Sequence, residues 1–402
     1  MNAQPAEINI NELDFKLRDK LNVYLQRLID NGGSDLHVKS GSFIRGRFNG
    51  EIVTMSDEIL SKEDGLTLAK ELLRTNFKDL VANRNVDFTY KLNENYRFRA
   101  NMFFQMDGVS AVFRVIPARI PQIKELHLPR VIEKICDNAN RGIILVTGPT
   151  GSGKTTTLAS MINRINKTQK RHIITIEDPI EYVYNDEQSI INQRSIGQDA
   201  LNFSDALRAS LREDPDIILV GEMRDLETIE TAMHAAETGH LVLSTLHTLD
   251  AKESVNRIVS MFGKSDQHRV KVMLASVLDA IISQRLVRTT NNTRRPAVEV
   301  LINNARIKEI ITEGKSDDIY TAIAESKNTY GMQTFDQHLL ELYESDTISA
   351  AEALEKATKR SDLEIKIKNV NLAREESAQA QNSKNPFAKS IQRDVIALKE
   401  ID

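Results

Sequence analysis

The sequence predicts an α/β protein whose main part is built on a parallel sheet and is preceded by a smaller α+β domain. Two observations lead to this fold class. From about Leu126 onward, short apolar runs rich in β-branched residues alternate with stretches of helical periodicity, which is typical of parallel strands joined by helices. Before that point, strand-like runs follow one another after short turns, which indicates an antiparallel sheet.

The smaller domain is predicted to begin with a helix. Apolar residues recur at helical spacing over residues 13–28, and Gly32-Gly33 ends the pattern. Asn49-Gly50 separates two strand-like runs and indicates a hairpin, because both residues tolerate positive φ. A helix is expected near residues 62–74. Three further strands are expected at residues 86–92, 96–105 and 109–116.

The second part of the chain supplies the parallel strands. Strands are predicted at residues 142–147, 172–176, 217–220 and 241–244. Helical patterns are expected to dominate residues 270–368, with one more strand at 297–301. The domain boundaries follow from these patterns: an N-terminal domain over 1–116, a linker or hinge over 117–123, a second domain over 124–370 and a flexible polar tail over 371–402.

Composition narrows the class of protein. The 402 residues carry 53 basic and 57 acidic side chains without a long block of like charge, so binding to nucleic acid is not expected. A single cysteine, Cys136, excludes an intramolecular disulfide and a cysteine-based zinc site. The first residues show no signal-peptide pattern, and the apolar runs are far shorter than the roughly 20 residues that span a bilayer. We therefore expect a cytoplasmic protein that reaches a membrane only through partners.

A phosphate-binding loop follows the strand at residues 142–147. Its pattern is G-x-x-x-x-G-K-[ST], in which glycines let main-chain amides turn toward phosphates. Lys154 would reach the β and γ oxygens, and Thr155 would offer its hydroxyl to Mg²⁺. The loop opens a helix, which would place ATP or GTP at a helix N-terminus. The residues predicted to bind the nucleotide are Gly148, Pro149, Thr150, Gly151, Ser152, Gly153, Lys154, Thr155 and Thr156.

Two acidic residues follow apolar strands of the predicted parallel sheet. Glu222 comes after residues 217–220, with Gly221 where such strands usually carry Asp. Glu222 is therefore the candidate that polarises the attacking water or helps to hold Mg²⁺ through water. Glu177 ends the strand at 172–176 and is a second candidate, although either acid could also be a solvated loop residue.

Histidines stand at both ends of the strand at 241–244. His247 would lie at the carboxyl edge, where it could sense the γ-phosphate, whereas His240 at the opposite end is less suited to contact nucleotide. A structural role for His247 is an equally good interpretation of its position alone.

Arginines alternate with apolar residues on one predicted strand of the N-terminal domain. Arg97, Arg99 and Asn101 would share a face of the sheet, and Arg114 lies on the following strand. The simple interpretation is a solvated strand face. The alternative is a set of arginines that reach the ATP site of an adjacent subunit and stabilise negative charge there.

Taken together, these motifs resemble the secretion and pilus ATPase superfamily and, within it, the type IV pilus retraction (twitching motility) ATPases of the PilT/PilU type. The resemblance extends over about residues 12–368. Four blocks carry it: GPTGSGKTTTLASMIN from Gly148, TIEDPIEY from Thr175, SLREDPDIILVGEMRDLETI from Ser210 and AAETGHLVLSTLHT from Ala235.

The resemblance implies an N-terminal PAS-like domain joined flexibly to a RecA-like core, and a ring-shaped homo-hexamer in which each N-terminal domain docks on the next core. It implies that Glu222 is the catalytic acid, supported by Glu177, and that the matching interface arginines are Arg97, Arg99 and Arg114. It also implies ATP and Mg²⁺ as cofactors, the inner-membrane pilus platform protein as a partner, a paralogous retraction ATPase as a candidate second partner, and a place at the cytoplasmic face of the inner membrane.

Departures from the family pattern leave alternatives open. The additional N-terminal domain and four-cysteine zinc element of assembly-type relatives are not in this sequence, which favours retraction over pilus assembly or type II secretion. The retraction motif AIRNLIRE is poorly matched by residues 304–311, while residues 331–337 and 361–363 look more like the accessory PilU type. A DNA-translocating RecA-like ATPase and a non-catalytic accessory ring subunit are the alternatives of another class.

Overall fold

The computed structural model of the chain describes residues 13–93, 96–117 and 119–383, which fall into two compact units. The first unit contains the residues up to 122, together with 136–143 and 155–245. The second contains 123–135, 144–154 and the residues from 246 onward. Among the residues that the structure describes, no helix is both long and apolar enough to cross a membrane.

A six-stranded antiparallel sheet occupies the N-terminal part of the first unit. Its strands are β1 (Asp35–Lys39), β2 (Ser42–Phe48), β3 (Glu51–Leu60), β4 (Asn85–Lys91), β5 (Arg97–Gln105) and β6 (Gly108–Ile116). The strand order is β3-β2-β1-β6-β5-β4, and every neighbouring pair runs antiparallel. The expected antiparallel sheet is confirmed, and the expected hairpin joins β2 to β3.

Three helices cover the core of this sheet. They are α1 (Lys16–Asp30), α2 (Lys62–Leu73) and α3 (Phe77–Asn83). Helix α1 buries an apolar stripe that includes Leu21, Leu25 and Leu28, which pack in one cluster with Phe98 and Phe113 of the sheet. The stripe has the spacing that the sequence predicted, because one face of the helix is turned to the core.

A seven-stranded mixed sheet is formed by the later part of the chain. Its strands are β7 (Gly142–Thr147), β8 (His172–Glu177), β9 (Ile190–Ser195), β10 (Ile217–Val220), β11 (Leu241–Leu246), β12 (Leu278–Arg288) and β13 (Arg294–Ile302). The strand order is β13-β12-β7-β11-β10-β8-β9. Strands β8, β9, β10 and β11 pair in parallel, whereas β12 and β13 pair antiparallel. The α/β prediction with parallel strands is confirmed.

Helices follow most of these strands. In the order of the chain they are α4 (Arg130–Asn138), α5 (Lys154–Thr168), α6 (Phe203–Ser210), α7 (Leu226–Glu237), α8 (Ala251–Ser260), α9 (Gln267–Val277), α10 (Ala305–Glu313), α11 (Ile319–Glu325), α12 (Lys327–Tyr330), α13 (Phe335–Glu344), α14 (Ala350–Lys356) and α15 (Arg360–Ser383). The C-terminal helices build a second core with β12 and β13, centred on Phe335, Leu339 and Leu363.

Strand β12 corrects the prediction of a helical stretch at its position. It runs over the eleven residues Leu278–Arg288, of which 280–288 pair with β13. All of them except Arg288 are buried or half-buried, and the polar Ser283 and Gln284 are buried together with the apolar residues 280–282, so polar and apolar residues do not alternate. Periodicity cannot separate such a run from a buried helix, and only the partner strand decides between the two.

Helix α15 extends further than the sequence predicted. It continues to Ser383, well into the stretch from residue 371 onward for which no regular structure was expected. Alanine, glutamate, glutamine and arginine dominate this stretch, and all four are good helix formers even where no apolar periodicity is visible. Residues 384–402 of the expected tail, and residues 1–12 of the expected N-terminal domain, lie outside the described part of the chain.

Candidate active site

The loop between β7 and α5 has the backbone shape of a phosphate cradle. Gly148, Gly151 and Gly153 all have positive φ, at 143°, 79° and 92°. A Cβ on Gly148 would lie 2.3 Å from the main-chain oxygen of Gln284 on β12, so only glycine fits there. The loop leads directly into α5, whose buried face carries Leu158, Met161, Ile162 and Ile165 at helical spacing.

Lys154 is held over the main chain of its own loop. Its ammonium donates to the carbonyl oxygens of Gly148 at 2.9 Å and Pro149 at 3.1 Å, and the residue is buried. The hydroxyl of Ser152 is also buried and has no hydrogen-bond partner among the described residues. A cation and an unsatisfied hydroxyl in one glycine loop form a set of donors suited to phosphate oxygens.

The two candidate acids lie at the ends of neighbouring parallel strands of the first unit: Glu177 is the last residue of β8, and Glu222 follows β10. Val220 of β10 is in register with Ile176 of β8, and the Gly221 amide donates to the Ile176 carbonyl at 2.8 Å. Glu177 and Glu222 therefore emerge at the same edge of the sheet. A Cβ on Gly221 would approach that carbonyl to 3.2 Å, which is a physical reason for glycine where related strands carry Asp.

Glu177 is a buried carboxyl with two side-chain donors. The hydroxyl of Thr175 donates to its Oε1 at 2.7 Å, and the Gln193 amide of β9 donates to the same oxygen at 3.3 Å. Burial raises the pKa of Glu177 to about 7, although both hydrogen bonds act in the opposite direction. Glu177 is thus able to hold or release a proton near neutral pH.

Glu222 is more accessible and is paired with a cation. Its Oε2 lies 2.8 Å from Nη2 of Arg224, and the side chain of Glu222 is 17% exposed whereas that of Arg224 is 71% exposed. The hydrogen bond to Glu222 raises the pKa of the Arg224 guanidinium. Because the guanidinium faces solvent, it can be displaced from the carboxylate at little cost.

The start of helix α5 is tied to the segment that follows Glu177. The hydroxyls of Thr156 and Tyr182 are 3.0 Å apart. Tyr182 is also held through its main-chain oxygen, which accepts from Gln193 at 2.8 Å. Gln193 therefore contacts both Glu177 and Tyr182, the tyrosine that contacts the first turn of α5. Through these contacts Gln193 links the candidate acid to the helix that follows the phosphate-binding loop.

The two histidines differ in their surroundings. His240 Nδ1 lies 2.9 Å from the carbonyl oxygen of Ala235 near the end of α7, so this ring braces the turn that leads into β11. His247 is exposed and follows the last residue of β11, at the edge expected from the sequence. Its position leaves the phosphate-sensing role as a prediction.

The three candidate arginines lie on the N-terminal sheet. Arg99 and Arg114 stand directly opposite each other on β5 and β6, and both are exposed. Nε of Arg114 donates to Asp35 of β1 at 2.7 Å. Burial opposes the ionisation of Asp35, but hydrogen bonds from Ser34 and Arg114 hold its pKa below the usual value. Along β5, the half-buried Arg97 and the exposed Arg99 alternate with the buried Phe98 and Ala100. The alternation of exposed and buried side chains is therefore as predicted.

The residues present fit ATP with Mg²⁺. The amides at the start of α5, the Lys154 ammonium and the Ser152 hydroxyl suit a triphosphate. In the described ranges, no three His, Cys, Asp or Glu side chains gather to hold a metal ion. Magnesium bound to nucleotide needs few protein ligands because phosphate and water supply the rest, and Thr155 at the start of α5 offers such a ligand.

Sequence reasoning missed four residues around the acids: Thr175, Tyr182, Gln193 and Arg224. Thr175 could have been found from the sequence, because residues two apart on a strand lie on the same face and Thr175 is two residues before Glu177. Gln193 could not, since four of the six residues of β9 are polar and the strand resembles a loop in sequence.

Comparison with known proteins places the chain among secretion and pilus proteins. The family model described as "Type II/IV secretion system protein" matches residues 14–381. A relative from Pseudomonas aeruginosa, "Type IV pilus retractation ATPase PilT", is 42% identical over 330 residues, which cover 81% of this chain and 94% of the relative. "Type IV pilus ATPase PilU" of the same organism is 36% identical over 346 residues, which cover 86% and 90%.

The fold agrees with a solved member of this group. A crystal structure described as the pilus retraction motor PilT with bound ADP superposes with a TM-score of 0.79 at 43% identity, covering 86% of this chain and 98% of that one. Sequence and fold thus agree over nearly the whole length of these relatives, and the glycine loop described above lies inside the matched region. The chain belongs to the type II/IV secretion system protein family, as an ATPase of the PilT and PilU type.

Proposed function

We propose that this protein is the ATP-hydrolysing subunit of a homo-hexameric motor that retracts type IV pili from the cytoplasmic face of the inner membrane. The observation that carries this proposal is the similarity to a named retraction ATPase over 94% of its length. The loop of residues 148–156 and the acids at the ends of β8 and β10 supply the chemistry. The pilus platform protein is the proposed partner that receives the force.

In the proposed reaction, the triphosphate binds to the main-chain amides of the glycine loop. Lys154 then exchanges the carbonyl oxygens of Gly148 and Pro149 for phosphate oxygens, which is a short movement of a flexible side chain. The Thr155 hydroxyl would hold Mg²⁺, which when bound neutralises charge on the phosphates. Closing the loop around the nucleotide also gives the buried Ser152 hydroxyl a partner.

Glu222 would orient the attacking water once the Arg224 guanidinium has moved away from the Glu222 carboxylate. The exposed guanidinium makes that release easy, and the second acid, Glu177, stands on the adjacent strand as a group that can take up a proton near pH 7. His247, which follows β11, would respond to the presence of the γ-phosphate. The roles of the two acids are supported by their placement at neighbouring strand ends.

Charge on the transferring phosphoryl group would be neutralised by an adjacent subunit. Arg97, Arg99 and Arg114 lie on the N-terminal sheet, and the exposed pair on β5 and β6 could face a neighbour's nucleotide. We further propose that residues 117–123 act as the hinge between an N-terminal domain of residues 1–116 and the ATPase domain from residue 124 onward, so that release of product opens the interface.

Two variants test this function directly. Lys154→Ala and Glu222→Gln should each lower the ATPase rate at least about a hundredfold, because one removes the phosphate-binding cation and the other the group that orients water. Cells that carry either variant should show long, static pili in fluorescence imaging. Glu237→Gln, an exposed acid at the end of α7, is the matched control and should hydrolyse ATP normally. Hydrolysis at the wild-type rate by either site variant would refute the site assignment.

A second candidate is the accessory retraction subunit, favoured by the 36% identity to PilU over 86% of the chain. Deleting the gene separates the possibilities. Static pili after deletion, with normal retraction in Glu222→Gln cells, would assign the accessory role. Static pili in both would assign the main motor. Cells without pili after deletion would contradict retraction and indicate assembly.

A further inference from the structure

A buried carboxylate in the second unit has no part in the mechanism above. Glu299 lies in the middle of β13 and is 3% exposed. Its Oε1 accepts a hydrogen bond from the main-chain amide of Ala251 at 2.9 Å. Ala251 is the first residue of α8, so the carboxylate sits at the positive end of that helix, where a negative charge is stabilised.

Helix α8 begins immediately after the segment that carries His247. Within residues 248–254, three hydrogen bonds that involve side chains join the segment to the first turn of α8. The Asp250 carboxylate accepts from the Glu253 amide at 2.7 Å, the Glu253 carboxylate accepts from the Leu249 amide at 2.7 Å, and the hydroxyls of Thr248 and Ser254 are 2.6 Å apart. These bonds join the residues after His247 to the start of α8, and Glu299 in turn bonds the start of α8 to β13.

Glu299 is also linked to the strand that leads into the phosphate loop, β7, from which β13 is separated only by β12. It stands directly opposite Ser283 of β12, and the Ser283 hydroxyl accepts from Thr147 at 2.9 Å. Thr147 precedes Gly148. Directly opposed residues on neighbouring strands place their side chains on the same face of a sheet. Thr147, Ser283 and Glu299 thus form a polar row that joins the base of the loop to the start of α8.

We propose that Glu299 is a positioning residue of the ATPase: by accepting the Ala251 amide, it holds the start of α8, and with it residues 247–250, in the arrangement that hydrolysis requires. This inference rests on the proposed ATPase function and adds a residue outside the four motifs that define it.

The charges around Glu299 determine the pH range in which its hydrogen bond to the Ala251 amide is strong. Burial raises its pKa to about 7, and the Ala251 amide opposes that rise. Four other groups face it: Asp250 at the start of α8 and Asp336 on α13 add negative charge, Arg285 on β12 adds positive charge, and Tyr320 on α11 is the fourth. A charged acceptor binds an amide more strongly than a neutral one, so the bond strengthens as pH rises through 7.

The test compares the pH profiles of two conservative variants. Glu299→Gln keeps the shape and one acceptor oxygen but cannot ionise. The ratio of wild-type to variant kcat should be close to 1 below pH 6 and rise to about tenfold above pH 8, with KM for ATP nearly unchanged. Glu177 titrates in both proteins, so its effect on kcat cancels when the two kcat values are divided. Glu299→Asp keeps the charge but is too short to reach Ala251, and it should lower kcat at every pH.

The matched control is Glu71→Gln in the N-terminal domain. Glu71 is also buried, and its Oε2 accepts the Arg18 amide in the first turn of α1 at 2.6 Å, but it is far from the motifs in sequence. Its kcat ratio should be independent of pH. A flat ratio for Glu299→Gln, or wild-type kcat in Glu299→Asp, would overturn the inference while leaving the ATPase proposal intact. Absence of ATP hydrolysis in the wild type would instead refute the proposed function.

Discussion

At the scale of single residues, Glu177 and Glu222 lie at the ends of adjacent strands but have different environments. Glu177 is buried with Thr175 and Gln193 as donors, whereas Glu222 is half-buried with an exposed arginine as partner. Environments that differ in this way suit the proposed division of labour, in which the buried Glu177 exchanges a proton and the more accessible Glu222 orients water.

The buried acid makes stability depend on pH. The unfolded chain would release the Glu177 proton near pH 4.5, whereas the folded chain keeps it up to about pH 7. The folded state is therefore favoured at low pH, and this advantage is lost as pH rises from 4.5 through 7, by about 3 kcal/mol in total. Glu177→Gln should match the wild-type free energy of unfolding near pH 4.5 and exceed it by roughly 2–3 kcal/mol at pH 8.5.

Urea unfolding of the nucleotide-free protein at the two pH values measures this difference. Other titrating groups cancel, because they are common to both proteins. Glu187→Gln, an exposed acid in the same stretch of chain, is the control and should give the same difference at both pH values. A stability difference for Glu177→Gln that does not change with pH would show that the carboxyl is ionised as easily in the folded protein as in the unfolded chain.

At the scale of elements, the position of Glu222 depends on how helix α7 begins. Residues 221–225 connect β10 to this helix, and Asp225 caps it: one carboxylate oxygen accepts the Thr228 amide at 2.8 Å and the other accepts its hydroxyl at 2.7 Å. A negative side chain at this end also suits the helix dipole. The connection carries both Glu222 and Arg224, and the Asp225 cap fixes its C-terminal end to α7.

Removing this cap should affect both stability and catalysis. Asp225→Ala should lower the free energy of unfolding by about 1 kcal/mol, because the Thr228 amide loses its acceptor. It should also lower kcat, since the segment with Glu222 gains freedom. Asp225→Ser, which can still cap the helix, should retain most of both. Denaturant midpoints and steady-state rates measure the two effects, and equal losses in the two variants would show that capping is not the cause.

At the scale of the whole molecule, the proposed ring predicts that catalytic groups come from two subunits. If Arg99 acts on a neighbour's nucleotide, a Glu222→Gln subunit still supplies a competent arginine and an Arg99→Ala subunit still supplies a competent acid. Rings that mix the two inactive variants should then contain some complete sites. Random mixing in equal amounts would restore about a quarter of wild-type ATPase activity.

Co-expression of the two variants with different tags, followed by tandem purification, gives the mixed rings. Each variant purified alone should be inactive, and mixing Glu222→Gln with Lys154→Ala is the control, because both residues belong to the ATPase part of one chain and no complete site can form. Recovery in the control, or none in the test mixture, would contradict action of Arg99 across subunits.

Much of this protein could be predicted from features that are contiguous in the chain. The glycine loop, the amphipathic faces of α1 and α5, and the apolar strands that precede Glu177 and Glu222 are local patterns, since each depends on residues a few positions apart. Such patterns report backbone conformation and burial directly. The α/β class and the location of the phosphate-binding loop therefore needed no structure.

Contacts between distant segments were decided only by the folded chain. Strand β12 became a strand because β13 pairs with it, Gln193 reached Glu177 because β9 lies beside β8, and Glu299 met Ala251 because β13 passes the start of α8. The raised pKa values of Glu177 and Glu299 come from burial, which is a property of packing rather than of sequence neighbours. The sequence by itself determined which chemistry the chain carries, whereas tertiary packing decided which side chains are brought together and in what state of charge.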